Sequence, residues 1–287
     1  MKNLRTSTTS HRLPLWTGFL LITIALTWLG LSPAASGADP SQEVGYLDPN
    51  FYGRNYRDVI MADNPIMYWR LGEHTGSLAY DESIMHRDAI YVGNPALGLL
   101  GAILEDGNTA AGFNGHNQYV VWNPTVRVSG TFTVEAWVKE RKLYSLQTFF
   151  NTCSTPANYS FDLKFELFTL NYVHKQAHFD IGDGSRWLAT SRLPFDLKAT
   201  VWYHVAAVVT PTGASYYVDG VEIGSASYTG TPLLCDFAHK VEIGANTASG
   251  WIINQVQSVI DEVAIYDYGL SADQIAVHHL MGEPLED

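Results

Sequence analysis

Basic residues are scarce in this chain. Seventeen Lys and Arg face 29 Asp and Glu, for a net charge of −12. Non-specific nucleic-acid binding depends on Lys and Arg neutralising phosphates, so that class is excluded, and so is a polybasic membrane patch. Cysteine is nearly absent too: only Cys153 and Cys235 occur. A disulfide-dense scaffold is ruled out, and no C-x-x-C zinc pair exists. Neither H-E-x-x-H nor G-x-S-x-G occurs, which removes the common zinc-hydrolase and serine-nucleophile signatures. There is no internal repeat, no low-complexity tract, and one long apolar run only.

That run, "LWTGFLLITIALTWLGL" (15–31), follows Lys2, Arg5 and Arg12 and precedes Ser36-Gly37-Ala38. A basic start, an apolar middle and small residues at the exit form a secretory signal, expected to be cut after Ala38. Residues 1–38 carry three of the cations and no acid, so their loss takes the charge from −12 to −15. The remainder is expected outside the cytoplasm: secreted, periplasmic or at the cell surface, and free of the membrane once cut. In such an oxidising setting Cys153 and Cys235 are the one pair available for a bridge, provided their Cα atoms come within roughly 4.4–6.8 Å.

Past a turn-rich lead-in at 39–55, the hydrophobic period is two. In "FTVEAWVKE" (132–140) Phe132, Val134, Ala136 and Val138 alternate with Thr133, Glu135, Trp137 and Lys139. "WYHVAAVVT" (202–210) and "SYYVDGVEIG" (215–224) read as strands joined at "PTGA". Asp219-Gly220 is a two-residue hairpin signal, since a type I′ turn needs positive φ at both central positions. "FNGHNQYVVW" (113–122) and "AHFDIGDGSRWLAT" (177–190) read as further hairpins. The one convincing helix is "ADQIAVHHL" (272–280), with Ser271 and Gln274 as a capping box. Many strands and one terminal helix predict an all-β antiparallel sandwich.

Five blocks, in order, carry a family resemblance. "YRDVIMADNPIMYWRLGE" (56–73), "TAAGFNGHNQYVVW" (109–122), "FTVEAWVK" (132–139), "WYHVAAVVTPTGASYYVDGVEIG" (202–224) and "IDEVAIYDYGLSADQI" (260–275) resemble bacterial laminin G-like domains. These belong to the concanavalin A-like lectin/glucanase superfamily. The resemblance covers 56–281, leaves 282–287 as a tail, and implies a jelly roll of two antiparallel sheets. It also implies a binding module for a glycan or an extracellular protein, with glycoside hydrolysis or a purely structural role as alternatives. In "YDESIMHRDA" (80–89) the sequence departs from the family's glycine-rich turn. Ile84 and His86 stand where glycines are usual, so that loop must take another path.

Hydrolysis needs two carboxylates about one glycosidic bond apart. The superfamily's laminarinase type uses Glu-x-Asp on one strand face, and no Glu-x-Asp occurs here. Asp162 and Glu166 share a face of "FDLKFELF" but lack a third acid. Among the histidines, His204 reads as a packed strand residue. The resemblance admits calcium, with Asp81 and Asp261 as ligands and Asp88 and Asp106-Gly107-Asn108 as further oxygen-rich positions. The other reading of Asp81 is a turn cap. For a glycan, "GDGSRWLATSR" and "ANTASGWIINQ" combine an aromatic platform with polar partners. Trp187, Arg186, Trp251 and Asn254 are the expected contacts.

Adjacent Asp261 and Glu262 lie in an apolar run. On a regular strand neighbours point to opposite faces. Asp261 is therefore expected inside with Val263 and Ile265, and Glu262 in solvent.

Overall fold

Alternation along the strands decides the architecture. The computed structural model describes residues 54–143, 146–152, 159–168, 174–248 and 251–283. The chain divides into two units, Met1–Asp48 and Pro49–Asp287, and every described residue belongs to the second. The expected signal segment and residues 39–53 of the lead-in lie outside the described residues.

Helix α1 (Tyr56–Ala62) opens the fold. Strands β1 (Met67–Trp69), β2 (Leu78–Ala79), β3 (Ala89–Val92), β4 (Ala96–Leu100), β5 (Thr109–Gly112), β6 (Tyr119–Trp122) and β7 (Val128–Ser129) follow. The middle holds β8 (Phe132–Glu140), β9 (Leu146–Asn151), β10 (Phe161–Phe168), β11 (His174–Gly182), β12 (Trp187–Pro194) and β13 (Trp202–Thr210). Then come β14 (Gly213–Val218), β15 (Val221–Ser227), β16 (Leu233–Cys235), β17 (Val241–Ile243), β18 (Asn246–Ala248), β19 (Trp251–Ile253), β20 (Ser258–Tyr266) and α2 (Ala272–Gly282). One sheet runs β15-β14-β13-β8-β20-β5-β4, with β1 also on β20; the other runs β12-β11-β10-β9-β17-β6-β3-β2. All the pairings are antiparallel, as the sandwich reading expects.

The apolar halves of both sheets meet between them. Phe132, Val134, Ala136 and Val138 of β8 share one buried core with Phe161, Leu163 and Phe165 of β10. Phe132 meets Phe161 edge-on at 5.4 Å, and Phe179 stacks on Tyr216 at 4.0 Å. Burial of that apolar area is the main term holding the sheets together. The hairpin at Asp219-Gly220 forms as predicted, both residues taking positive φ (49° and 73°). The Ser271–Gln274 capping box forms as well.

Helix α1 is a difference from the sequence reading. Asn55 caps it through Asp58 N, and Tyr56, Val59 and Ile60 are buried, a helical i, i+3, i+4 stripe only one turn long. The expected 113–122 hairpin is a second difference. β5 belongs to the first sheet and β6 to the second. Phe113, fully buried, turns into the core, and Gly115 and Asn117 at positive φ swing the chain across.

The third difference is at Asp261-Glu262. Strand β20 carries a bulge: Asp261 pairs Trp137, and the next pair is Ala264 with Glu135. Two residues therefore oppose one, and Glu262 takes φ of 54°. The face pattern slips, so Ile260, Val263 and Ile265 enter the core while Asp261 does not join them. Glu262, expected in solvent, is fully buried. Both acids converge on Asn108, whose Nδ2 donates to Glu262 at 2.8 Å and to Asp261 at 3.3 Å. Arg70 pairs with Glu262 at 2.6 Å and also with Asp106. Burial and the neighbouring Glu262 charge push the Asp261 carboxyl well above its usual range. Ala102 N donates to it at 2.8 Å.

The outer face of the first sheet lies under both helices. Tyr56, Ile60, Tyr68, Trp137, Tyr266 and Ile275 make a second apolar cluster there. Inside it Glu135 accepts from Tyr266 Oη at 2.6 Å and sits 3.0 Å from His278 Nδ1 and 3.2 Å from His204 Nε2. His278 Nε2 reaches Asp63 at 2.9 Å. Burial pushes the His278 imidazole down, but the Glu135 and Asp63 carboxylates outweigh it and set it at about 9. Burial likewise opposes ionised Glu135, yet His278 and His204 hold it well below the usual carboxylate range.

Of the expected disulfide pair, Cys153 lies outside the described residues. Cys235 on β16 is a buried free thiol, pushed up to about 12 by burial.

Candidate carbohydrate site

The second sheet carries a polar outer face, its central groups buried, and strand register builds it. On β10 Phe161, Leu163 and Phe165 point into the core, so Asp162, Lys164 and Glu166 point outward. On β11 Ala177, Phe179 and Ile181 point inward, so Gln176, His178 and Asp180 point outward. Pairing then lays Glu242, Asn151, Asp162, Asp180 and Thr190 in one row across five strands. Thr148, Lys164, His178 and Arg192 form the next row. Register thus supplies the partners that Asp162 and Glu166 lack along their own strand.

These groups satisfy one another. Lys164 Nζ bridges Asp162 at 2.8 Å and Asp180 at 2.6 Å. His178 lies 3.1 Å from both Glu166 and Asp180. Burial pushes Asp162 up; burial pushes Asp180 up too, but His178 and Lys164 overcome it and hold that carboxyl low. Asp162 Oδ1 and Thr148 Oγ1 are buried with no hydrogen-bond partner among the described residues. A retaining glycosidase keeps the gap between its two carboxylates, about 5–5.5 Å, for the scissile bond. Here the Lys164 ammonium fills it.

An open groove of about 450 Å³ borders this face. Asn114, Gly115 and His116 of the sheet-to-sheet crossover form one side, and Ile252, Ile253, Asn254 and Gln255 the other. The β18–β19 hairpin is tied down beside this face, Thr247 N donating to Glu242 at 2.8 Å. Asn254 takes φ of 50°, and its carbonyl accepts from Thr148 N at 2.9 Å. Trp251 stands on the same hairpin, 74% exposed. Of the four expected ligand contacts, Asn254 lines this groove, and Trp251 lies three residues before it on the same hairpin.

Arg186 and Trp187 lie elsewhere. They sit at the β11–β12 turn, where Asp183 accepts from Ser185 N at 2.8 Å and Arg186 N at 2.9 Å. The Arg186 side chain folds back on Asp183, and Trp187 packs edge-on against Tyr159 at 5.2 Å. β12 is three strands from β9, roughly 14 Å at the usual spacing. The four residues therefore do not share one site. Sequence reading missed Asn114 and His116, because that stretch reads as a hairpin turn until the crossover is known.

The calcium candidates occupy separate networks. Asp81 accepts from Tyr68 N, Ser83 N and Ser83 Oγ at 2.8 Å each and from Arg87 N at 2.7 Å, which is the turn-cap reading. Asp88 accepts from Asp81 N, and Asp106 is bound to Arg70 and to Asn108 N. Asp261 belongs to the Asn108 cluster described above. Among the described residues no group of three or more His, Cys, Asp or Glu is placed to hold a metal. Asp81 and Asp261, each filled by donors, do not fit one calcium shell. Among the same residues no helix is long and apolar enough to cross a membrane.

Comparison with known proteins places this geometry. A family model, Laminin_G_3, described as the concanavalin A-like lectin/glucanases superfamily, matches residues 114–276. A search of curated proteins gave no match. Among solved structures, the botulinum neurotoxin serotype D ligand-binding domain in complex with N-acetylneuraminic acid aligns at 16% identity with a TM-score of 0.57. The alignment covers 79% of this chain and 56% of that one. The binding domain of botulinum neurotoxin DC in complex with SialylT aligns at 13% identity with a TM-score of 0.57, over 77% of this chain and 52% of that one. This chain therefore spans only about half the length of those domains; at such identity the likeness is one of fold.

Proposed function

Because the chain belongs to the Laminin_G_3 family of the concanavalin A-like superfamily, we propose that it is an exported, non-catalytic module that binds a carbohydrate in the groove beside Trp251. The carrying observation is the composition of that groove. Asn114, His116, Asn254 and Gln255 line it together with Ile252 and Ile253, and the exposed indole of Trp251 directly precedes that last stretch on β19. An indole face covers the apolar face of a sugar ring at small side-chain entropy cost, and amides direct hydrogen bonds to its hydroxyls. The fold neighbours solved with sugar bound support the same reading. The apolar N-terminal run accords with export, and a glycan outside the cytoplasm is the expected partner.

A glycan array with the full chain, followed by calorimetry on the best ligand, tests this. Trp251→Ala is expected to weaken binding about tenfold or more, as loss of an aromatic anchor does. Asn254→Ala is expected to weaken it less. Unchanged affinity in Trp251→Ala removes the groove from the site. A reducing-sugar assay is expected to stay flat, because Lys164 occupies the gap between Asp162 and Asp180.

A further inference from the structure

A second cleft opens on the first sheet, on its outer face. Register lays Trp202, Lys139, Val259 and Gly112 in one row across β13, β8, β20 and β5. Arg141 follows two residues after Lys139. Gly112 makes room for its guanidinium: a Cβ there would sit 2.9 Å from Arg141 Nη2 and 2.4 Å from Leu99 Cδ1. Lys139 and Arg141, with Leu99, Leu100, Thr200 and Val259, line a cleft of about 280 Å³.

Its charge is out of keeping with the rest of the chain. Acids outnumber bases 29 to 17, and Arg57, Arg70, Arg127, Lys164, Lys175 and Lys240 each face a carboxylate. Among the described residues no ion pair involves Lys139 or Arg141. The Lys139 ammonium lies 4.5 Å from the Trp202 ring centroid instead. Glu140, between the two cations in sequence, bonds to the Ser258 hydroxyl, and burial pushes it up to about 8, so it supplies little negative charge at neutral pH. Burial and the Arg141 charge lower Lys139; Asp261 is the carboxyl whose charge opposes this. Two like charges side by side in a cleft repel unless an anion lies between them.

We propose that this cleft binds the sulfate or carboxylate group of an acidic saccharide, held between Lys139 Nζ and the Arg141 guanidinium. Leu99, Leu100 and Val259 take the apolar face of the ring, and Thr200 offers a hydroxyl. The site is independent of the groove beside Trp251, so either can fail alone.

The test is calorimetric titration of the full chain with dextran sulfate, polygalacturonate, neutral dextran and inorganic sulfate, with tryptophan fluorescence alongside. At low salt the two acidic polymers are expected to bind, neutral dextran is not, and added salt weakens binding. The polymer that binds more tightly identifies the anion. Anion capture draws Lys139 off the Trp202 ring and changes its emission. The Lys139→Met, Arg141→Gln double variant is expected to lose about tenfold or more, the scale of charged hydrogen bonds. An unchanged thermal midpoint shows the double variant folded. If the double variant misfolds, Arg141→Gln alone serves, with partial loss expected. Equal binding of neutral dextran, or undiminished binding in a folded variant lacking the charges, overturns the proposal. Inorganic sulfate binding as tightly per site as the polymers overturns its saccharide part.

Discussion

Two buried carboxylate networks flank the same strand pair, β8 and β20, and they solve burial in opposite ways. Glu135 meets imidazoles: His278, raised to about 9, and His204 on its other side. Its charge is compensated, so it stays ionised. Glu262 and Asp106 share one guanidinium, Arg70, while Asp261 and Glu262 share one amide, Asn108. One cation does not balance the neighbouring acids, and both carboxyls are pushed up, by burial first. Burial alone therefore does not set the state of an acid; the ratio of cations to carboxylates around it does.

The largest expected break is at Arg70. Arg70→Met strands Glu262 and Asp106 and is expected to cost about 3–5 kcal/mol in urea unfolding. Next is Glu135→Gln, which leaves protonated His278 with Asp63 alone; about 3 kcal/mol is expected, the lower end of that range. The corresponding change at Asp261 sharpens the contrast. Asp261→Asn keeps an acceptor for Ala102 N and mimics the protonated acid, so it is expected within about 1 kcal/mol of wild type at pH 7. The raised acid contributes stability below its unfolded value of about 4 and loses it as pH rises. The variant should therefore gain on wild type in alkali.

The smallest effect is a pH trend. The folded His278 value lies above the ordinary 6.5, so its contribution is full below about 6.5 and fades as pH rises through about 9. The stability difference between wild type and His278→Leu is expected to shrink between pH 6 and pH 9.5. Glu135 has the opposite sign: its folded value is depressed, so its contribution fades only as pH falls below about 4.5. Urea midpoints taken from about pH 3 to pH 9.5 check both.

Much of the fold was legible from local chemistry. Asp219-Gly220 announces its turn because few residues tolerate two successive positive φ values. Ser271 and Gln274 announce a helix start because they satisfy each other's backbone donors. The 113–122 stretch misled, because a turn within one sheet and a crossover between two carry the same Gly and Asn residues. Part of the candidate groove was legible: Asn254 and Gln255 fall in the stretch "ANTASGWIINQ". Asn114 and His116 were not, since they join it only across the crossover.

The two-faced strands, the turn positions and the capped C-terminal helix follow from local sequence, because they depend on neighbours one to four residues away, and the acidic balance follows from composition. Tertiary structure alone decided the bulge that buries Glu262, since Arg70 and Asn108 come from 192 and 154 residues distant. It also decided the rows of Asp162 with Asp180 and of Lys139 with Gly112. Register between strands is set by the whole core packing at once, and no short stretch of sequence encodes it.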